Sequence, residues 1–133
     1  MRKHKLTEES IQHSGRTLYR IEALKHFGNV KKGEKGGWVE RESNLSHDGD
    51  CWIYHTAKVF GDAKVSGNAK VYEEAIVYGD AEVCGNAKVW GYAKTPLKVY
   101  GQAVLKEYRW YEDQAELDKM ASPLYKVLMK EVV

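Results

Sequence analysis

The sequence contains only two cysteines, Cys51 and Cys84, among its 133 residues. This number is too small for a disulfide scaffold, and neither cysteine lies in a CxxC motif or at a spacing typical of zinc ligands. Three of the histidines, His4, His13 and His26, are scattered along the chain and do not form a ligand motif. We therefore expect two free thiols, no metal ion and no cofactor.

The sequence also lacks a long apolar run and a large charge excess of either sign. Its first ten residues, MRKHKLTEES, are basic but contain no apolar stretch, so we expect neither a signal peptide nor a membrane-spanning helix. The net charge is +2 with 30% charged residues, which is not the strongly basic balance typical of a nucleic-acid-binding protein. These absences favour a single cytoplasmic domain and disfavour nucleic acid or a membrane as its partner.

What the sequence does contain is a six-residue repeat. Over residues 60–95 an 18-residue unit is written twice, as FGDAKVSGNAKVYEEAIV and then YGDAEVCGNAKVWGYAKT. Valine recurs at every sixth position from Val59 to Val89, and alanine does the same from Ala57 to Ala93. Three hexads in each 18-residue unit predict an all-β solenoid with three short strands per coil. Within a hexad, Ala-x-Val places both side chains on one face, and Gly followed by Asp or Asn supplies the bend.

These hexads resemble those of the hexapeptide-repeat proteins, in which an aliphatic residue is followed four positions later by a small one, as in Val59 and Ala63. The resemblance implies a left-handed parallel β-helix of triangular cross-section, here with about 3–4 coils. It is specific over residues 49–95. The segment GGWVERESNLSHDGDCWIY, which begins at Gly36, also resembles the opening of a bacterial and phage-borne subgroup of that family with no established activity.

The extent of the repeat predicts three segments. Residues 1–42 form an N-terminal cap of short strands and a loop, residues 43–105 form the β-helix, and residues 106–133 form a C-terminal helical cap. Apolar residues at helical spacing place one helix near 112–121. A second helix is predicted to start at Ser122 and Pro123, with Ser122 as its N-cap.

The repeat is disturbed once, after Val89. The next valine in the pattern is Val99, ten positions later instead of six. We interpret the disturbance as a four-residue insertion near residues 94–98, which forms a loop at a corner of the solenoid.

The 18-residue spacing places side chains of successive coils above one another, in columns on three faces. The first face is predicted to present Trp52, Lys70 and Lys88 beside Tyr54, Tyr72 and Trp90, and the second to present Phe60, Tyr78 and, after correction for the insertion, Tyr100. The third face is polar. Because aromatic columns left in water favour association, we expect these to be covered, either in a homotrimer or dimer or by the chain's own termini.

Two histidines are weak candidates for catalysis. An acyltransferase of the family that the hexads resemble would use a histidine as general base. His47 falls where later coils have valine, and His55 replaces a bend glycine. Neither has a carboxylate at a spacing that would orient it, so we interpret both as structural or surface residues.

Three functions remain open. The main hypothesis is a non-catalytic, oligomeric module whose aromatic and lysine columns bind an unidentified protein partner. Given the phage-like opening segment, one form of this hypothesis is a phage or mobile-element accessory protein that inhibits a host defence factor such as a nuclease. The first alternative is a small CoA-dependent acyltransferase, and it rests on fold resemblance alone. The second is a nucleotide or nucleic-acid binder, in which lysines contact phosphates and rings stack on bases.

Overall fold

The computed structural model describes residues 2–107 and 109–121. The chain folds as a parallel β-solenoid of about four turns followed by one C-terminal helix, as the hexads and the helical spacing predict. It matches a left-handed β-helix with a helical cap, and the left hand is what the resemblance to the hexapeptide-repeat proteins implies. Ten strands of two residues each build the coils: β4 (Trp52–Ile53), β5 (Lys58–Val59), β6 (Lys64–Val65), β7 (Lys70–Val71), β8 (Ile76–Val77), β9 (Glu82–Val83), β10 (Lys88–Val89), β11 (Lys94–Thr95), β12 (Lys98–Val99) and β13 (Val104–Leu105).

These strands stack into three parallel sheets, one for each face. The first face consists of β4, β7, β10 and β13, the second contains β5, β8 and β11, and the third consists of β6, β9 and β12. Backbone N–H groups of one coil donate to carbonyls of the next, as from Lys64 N to Ala81 O at 2.9 Å. The repeated valines and alanines point inward and have no exposed surface. Burying each valine contributes roughly 1.5–3 kcal/mol before the entropy of ordering is subtracted, so the coils are stable only as a stack.

The N-terminal residues extend the second face. Strands β1 (His4–His13) and β2 (Arg16–Ala23) form an antiparallel hairpin, and β2 pairs with β3 (Lys35–Val39). Ser14 and Gly15 form the turn between the two strands, and both residues have a positive φ, which suits a two-residue hairpin turn. Strand β3 then pairs in parallel with β5, so the hairpin continues the sheet of the solenoid.

The first coil is longer than the repeat. Val39 pairs with Val59 and Leu45 lies opposite Val65, so these residues are two positions farther apart than the 18-residue unit requires. The two extra residues lie between Leu45 and Trp52, because Trp52 pairs with Lys70 at the usual 18-residue spacing. A short 3₁₀ helix, Glu42–Asn44, occupies the preceding corner. The buried Asn44 side chain holds this corner, because its amide donates to the carbonyls of Gly61 and Ala63 at 3.2 and 2.8 Å.

The predicted four-residue insertion near residues 94–98 is wrong. Strand β11 continues the second face with Thr95 opposite Val77, and β12 continues the third face with Val99 opposite Val83. The corner between these strands is therefore two residues shorter than usual. Thr95 takes the place of the missing valine: its buried hydroxyl donates to Tyr111 O at 2.8 Å and accepts from Leu97 N at 3.1 Å.

This shorter corner also corrects the position of Tyr100. It lies on the third face, where Cys84 N donates to Val99 O, and not on the second face below Phe60 and Tyr78. The Tyr100 hydroxyl donates to Asp118 Oδ1 at 2.9 Å, which joins the third face to the C-terminal helix.

The helix predicted near residues 112–121 is confirmed as α1 (Gln114–Ala121). Its buried Leu117 packs in the core. The Gln114 side-chain amide accepts from Lys98 N at 3.1 Å and donates to Lys98 O at 3.0 Å, so it pairs with the edge of β12 as a neighbouring strand would. The second helix, predicted at Ser122 and Pro123, lies outside the described residues. Within the described part of the chain, no helix has the length and apolarity needed to cross a bilayer.

We predict that Thr95→Val lowers the free energy of unfolding by about 1–3 kcal/mol, because it leaves the Tyr111 carbonyl and the Leu97 N–H without their buried partner. Chemical denaturation measures the change. Thr56→Val is the matched control: Thr56 is exposed, so its replacement should change stability by less than about 0.5 kcal/mol. A Thr95→Val protein as stable as the wild type would contradict the assigned role of the hydroxyl.

Candidate functional site

The first face carries two side-by-side columns. Trp52 lies opposite Lys70 and Lys70 lies opposite Lys88, so these residues form one column. The residues two positions later form a ring column of Tyr54, Tyr72 and Trp90. Ring centroids are 5.9 Å apart for Tyr54 and Tyr72 and 5.9 Å apart for Tyr72 and Trp90, whose planes differ by 3°. The predicted vertical alignment is confirmed, whereas the binding role of these residues remains a prediction.

Trp52 is a correction to the predicted surface, because none of its side chain is exposed. The Phe27 ring meets the indole edge-on at 5.3 Å between centroids. The backbone of Gly36 comes so close that a Cβ there would lie 2.8 Å from Trp52 Cζ2. The loop between β2 and β3 therefore covers the N-terminal end of this column and leaves Lys70 and Lys88 to face solvent.

A groove of about 290 Å³ lies along the uncovered part of the first face. Its lining consists of Asn29, Tyr54, His55, Lys70, Tyr72 and Lys88. None of these lining residues is acidic, and neither lysine forms an ion pair with any residue that the structure describes. Burial raises the pKa of both tyrosines, which therefore stay neutral at physiological pH. The groove thus combines two ammonium groups with ring surfaces and suits an anion that carries a flat ring.

His55 stands at the corner beside this groove with a φ of 56°. Glu73 and Gly91 occupy the same corner in the next two coils, and they also have positive φ angles. A non-glycine residue in this region costs about 1–2 kcal/mol, so glycine is the unstrained choice here. The His55 ring is exposed, lies 6.0 Å from the Tyr54 ring centroid, and makes no hydrogen bond within the described residues.

His47 is held on both sides of its ring. Its Nδ1 accepts from Lys3 N at 3.0 Å, and its Nε2 lies 3.1 Å from Glu42 Oε1. The ring also stacks on His4 at 4.2 Å between centroids. The expectation that no carboxylate orients His47 is therefore wrong. Because Nδ1 accepts a backbone hydrogen bond, this imidazole supports the N-terminal strand and is poorly placed to take a proton from a substrate.

The second face is covered in part by the N-terminal hairpin. Phe60, predicted to be on the surface, is only 8% exposed and packs against Leu18 and Trp38. Its ring stacks on Tyr78 at 6.2 Å, and Tyr78 meets Trp110 edge-on at 5.5 Å. A groove of about 340 Å³ lies beside them, lined by His13, Ser14, Phe60, Ile76, Tyr78, Lys94 and Trp110.

Sequence reasoning missed two exposed aromatic residues. Trp110 is 55% exposed and Tyr92 is 53% exposed. Trp110 follows the last hexad, and it joins the second face through a parallel bridge to Lys94. Such a bridge has no periodic signal in the sequence. The described residues contain no group of three or more His, Cys, Asp or Glu side chains that could hold a metal ion.

Comparison with known proteins gives a partial match. The chain is 40% identical over 74 residues to a protein of Escherichia coli (strain K12) named uncharacterized acetyltransferase YdcK. The match covers 49% of this chain but only 23% of that protein's own length. No protein-family model matches the chain. The β-solenoid fits the hexapeptide-repeat family, whereas the likeness of the opening segment to a phage-borne subgroup remains a prediction.

We predict that the protein loses stability as the pH falls from about 6.5 to about 4. Burial and the neighbouring His47 lower the pKa of His4 from 6.5 to about 4. Over that interval the unfolded chain binds a proton that the folded chain does not, so the loss approaches about 3 kcal/mol at the acid end. Denaturation at a series of pH values measures it.

The variant His4→Phe keeps a ring against His47 but cannot bind a proton, so its stability should fall less over the same interval. Equal slopes for wild type and His4→Phe would show that His4 does not cause the loss.

Proposed function

We propose that this chain is a small acyltransferase that takes an acyl group from a CoA thioester and transfers it to a hydroxyl or amine. The observation that carries the proposal is the groove on the first face, where His55, Lys70 and Lys88 meet the rings of Tyr54 and Tyr72. The match to a protein named as an acetyltransferase supports the same reaction class. The same groove would also suit a nucleotide, and the name of this relative is what favours acyl transfer.

The groove suits the chemistry of the donor. CoA carries phosphates and a flat adenine ring, and the two lysines offer ammonium groups to phosphate oxygens. The ring column of Tyr54, Tyr72 and Trp90 offers stacking surfaces along the same face. No lining residue is acidic, although Glu34, Asp50 and Glu73 lie close enough to contribute to the raised pKa of the two tyrosines.

His55 is the group best placed to act as general base. Its imidazole accepts the proton of the acceptor hydroxyl or amine as the oxygen or nitrogen attacks the thioester carbonyl. The carbon–sulfur bond then breaks, and the imidazolium returns the proton to the departing thiolate. Within the described residues, no hydrogen bond competes for its ring nitrogens, in contrast to those of His47.

The backbone of His55 also favours a role beyond the fold. A non-glycine residue with a positive φ is typical of functional sites, where the role of the side chain offsets the free energy of backbone strain. Glycine would occupy this corner without strain, as Gly91 does two coils later. Glu73 shares the strain, but its carboxylate accepts from Gly91 N at 3.1 Å and thereby supports the corner. No hydrogen bond among the residues that the structure describes gives the His55 side chain a comparable structural role.

We predict that His55→Gly is at least as stable as the wild type, with a gain of up to about 1 kcal/mol from the relieved backbone. The same change should lower acyl transfer from acetyl-CoA by about a hundredfold or more, because the general base is gone. Release of free CoA thiol in the presence of a hydroxyl or amine acceptor measures the rate.

Glu73→Gly is the matched control, since it relieves the same kind of strain at the same corner and should retain transfer. Lys70→Ala with Lys88→Ala should abolish the rise in melting temperature on adding CoA, whereas the third-face pair Lys64→Ala with Lys98→Ala should keep it. A wild-type protein that neither transfers an acetyl group nor gains stability with CoA would overturn the proposal.

A second candidate function is the oligomeric binding module, and the exposure of Trp110 favours it. This ring and Tyr78 lie beside the groove on the second face. A second copy that places its first face there would cover aromatic surface on both chains, and repetition of this contact closes a trimer. Two further parts of this candidate remain hypotheses: that the module binds a protein partner, and that it is a phage or mobile-element inhibitor of a host defence factor.

For this candidate we predict that Trp110→Ala shifts the protein toward monomer at micromolar concentration, as measured by light scattering. The loss of an exposed ring should leave the melting temperature of the monomer nearly unchanged. Lys64→Ala, an exposed change on the third face, should leave the mass as in the wild type. A wild-type protein that is monomeric at every concentration would remove the candidate.

A further inference from the structure

Lys3 is buried completely, which is rare for a lysine without an acidic partner. It forms no ion pair with any residue that the structure describes. Its three ammonium hydrogens instead point to Gly49 O at 3.1 Å, Cys51 O at 2.8 Å and Cys51 Sγ at 3.3 Å. The ammonium also lies 4.7 Å from the centroid of the Phe27 ring. The lysine side chain is therefore held against the thiol from several directions.

The thiol is fixed as firmly as the lysine. Cys51 has no exposed surface, and its Sγ lies 3.6 Å from each of the carbonyl oxygens of Ser46, Asp48 and Val65. The single S–H hydrogen can be donated to any one of these carbonyls, and the three oxygens surround the sulfur beside Nζ. A separation of 3.3 Å between nitrogen and sulfur is within the range of a near-attack arrangement, so the pair is preorganised to react with each other.

We propose that a peroxide converts this pair into a covalent cross-link between Lys3 Nζ and Cys51 Sγ. In the first step the sulfur attacks hydrogen peroxide, the O–O bond breaks, and Cys–SH becomes Cys–SOH with the release of one water. In the second step the amine of Lys3 attacks the sulfenic sulfur, an N–S bond forms, and the hydroxyl leaves as a second water. The ammonium gives up two protons, one to that water and one to solvent. The sulfur is oxidised by two electrons and the peroxide is reduced.

The surroundings favour this route over other fates of a sulfenic acid. Its usual partner is a second thiol, but Cys84 lies on the third face, two coils farther along the stack. The conversion to a sulfinic acid would need a second molecule of peroxide to reach the buried sulfur from solvent, whereas the Lys3 amine is already in contact with it. The amine in contact with the sulfur is thus the nearest nucleophile.

The cross-link would fix the N-terminal cap to the first coil. Lys3 directly precedes β1, and Cys51 directly precedes β4, so the bond would join two segments that are far apart in sequence. The same region holds the Phe27 ring over Trp52 and the Lys3 backbone against His47. Peroxide would therefore lock the cover of the first face in place, and a thiol reductant would release it.

The test uses the Cys84→Ser protein, so that Cys51 is the only thiol. After treatment with hydrogen peroxide, peptide mapping by mass spectrometry should find a Lys3–Cys51 linked species that has lost two hydrogens relative to the two separate peptides. Methionine oxidation adds oxygen and is separated by this difference in mass. Dithiothreitol should restore the original peptides, and the cross-linked protein should melt at a higher temperature than the reduced one.

The rate supplies a second readout. Burial raises the pKa of the Cys51 thiol, so the reaction should accelerate as the pH increases toward 9 while the fold is retained. Lys3→Arg keeps a positive charge but replaces the amine, so Cys51 in this variant should gain oxygen atoms and form no link. Two results would overturn the proposal: a Cys51 that only gains oxygen in the Cys84→Ser protein, or one that stays unmodified at pH 9 while circular dichroism shows the native fold.

Discussion

The structure depends on one constraint: the backbone N–H and C=O groups of each coil must lie in register with those of the next coil, so that they can form hydrogen bonds. Bonds such as those from Lys64 N to Ala81 O and from Ser66 N to Val83 O, both 2.9 Å, repeat along the stack. The inward valines lock this register, because a one-residue slip would turn them toward solvent. Changes in chain length are therefore confined to corners. The first coil is two residues longer than the repeat, and the corner between β11 and β12 is two residues shorter.

The same constraint organises the outer surface. Because coils stack in register, a side chain that points outward is repeated by its counterpart in the next coil, and lysines and rings become continuous columns on the first face. The corners obey a weaker rule, since they need only a positive φ. His55 and Glu73 stand where glycine would fit without strain, so the corner is where the chain has freedom to place a reactive side chain beside an otherwise regular groove.

The coils could be predicted from the sequence because the valine and alanine periods report directly on burial. Prediction failed at positions where a tertiary contact, and not the repeat, decides which residue is present or how exposed it is. Thr95 can fill a valine position because Tyr111 O accepts a hydrogen bond from its hydroxyl. Without a valine at this position, the shortened corner resembles an insertion in the sequence, and Tyr100 is predicted on the second face instead of the third. Trp52 and Phe60 occupy outward positions as expected, but the N-terminal loop and hairpin cover them. The pairing of His47 with Glu42 and Lys3 depends on the 3₁₀ corner and on β1, neither of which has a periodic signal.

The Gln114 amide at the edge of β12 has a consequence for how such a protein changes in evolution. The amide supplies one acceptor and one donor to backbone groups of the last strand, so this contact does not depend on the side chains of that strand. The helix is also held by the bond from the Tyr100 hydroxyl to Asp118 Oδ1, so its contacts depend on the last coil and not on the number of coils before it. Duplication or loss of a whole 18-residue unit in the interior would therefore lengthen or shorten the solenoid while the contacts that cover its two ends are kept.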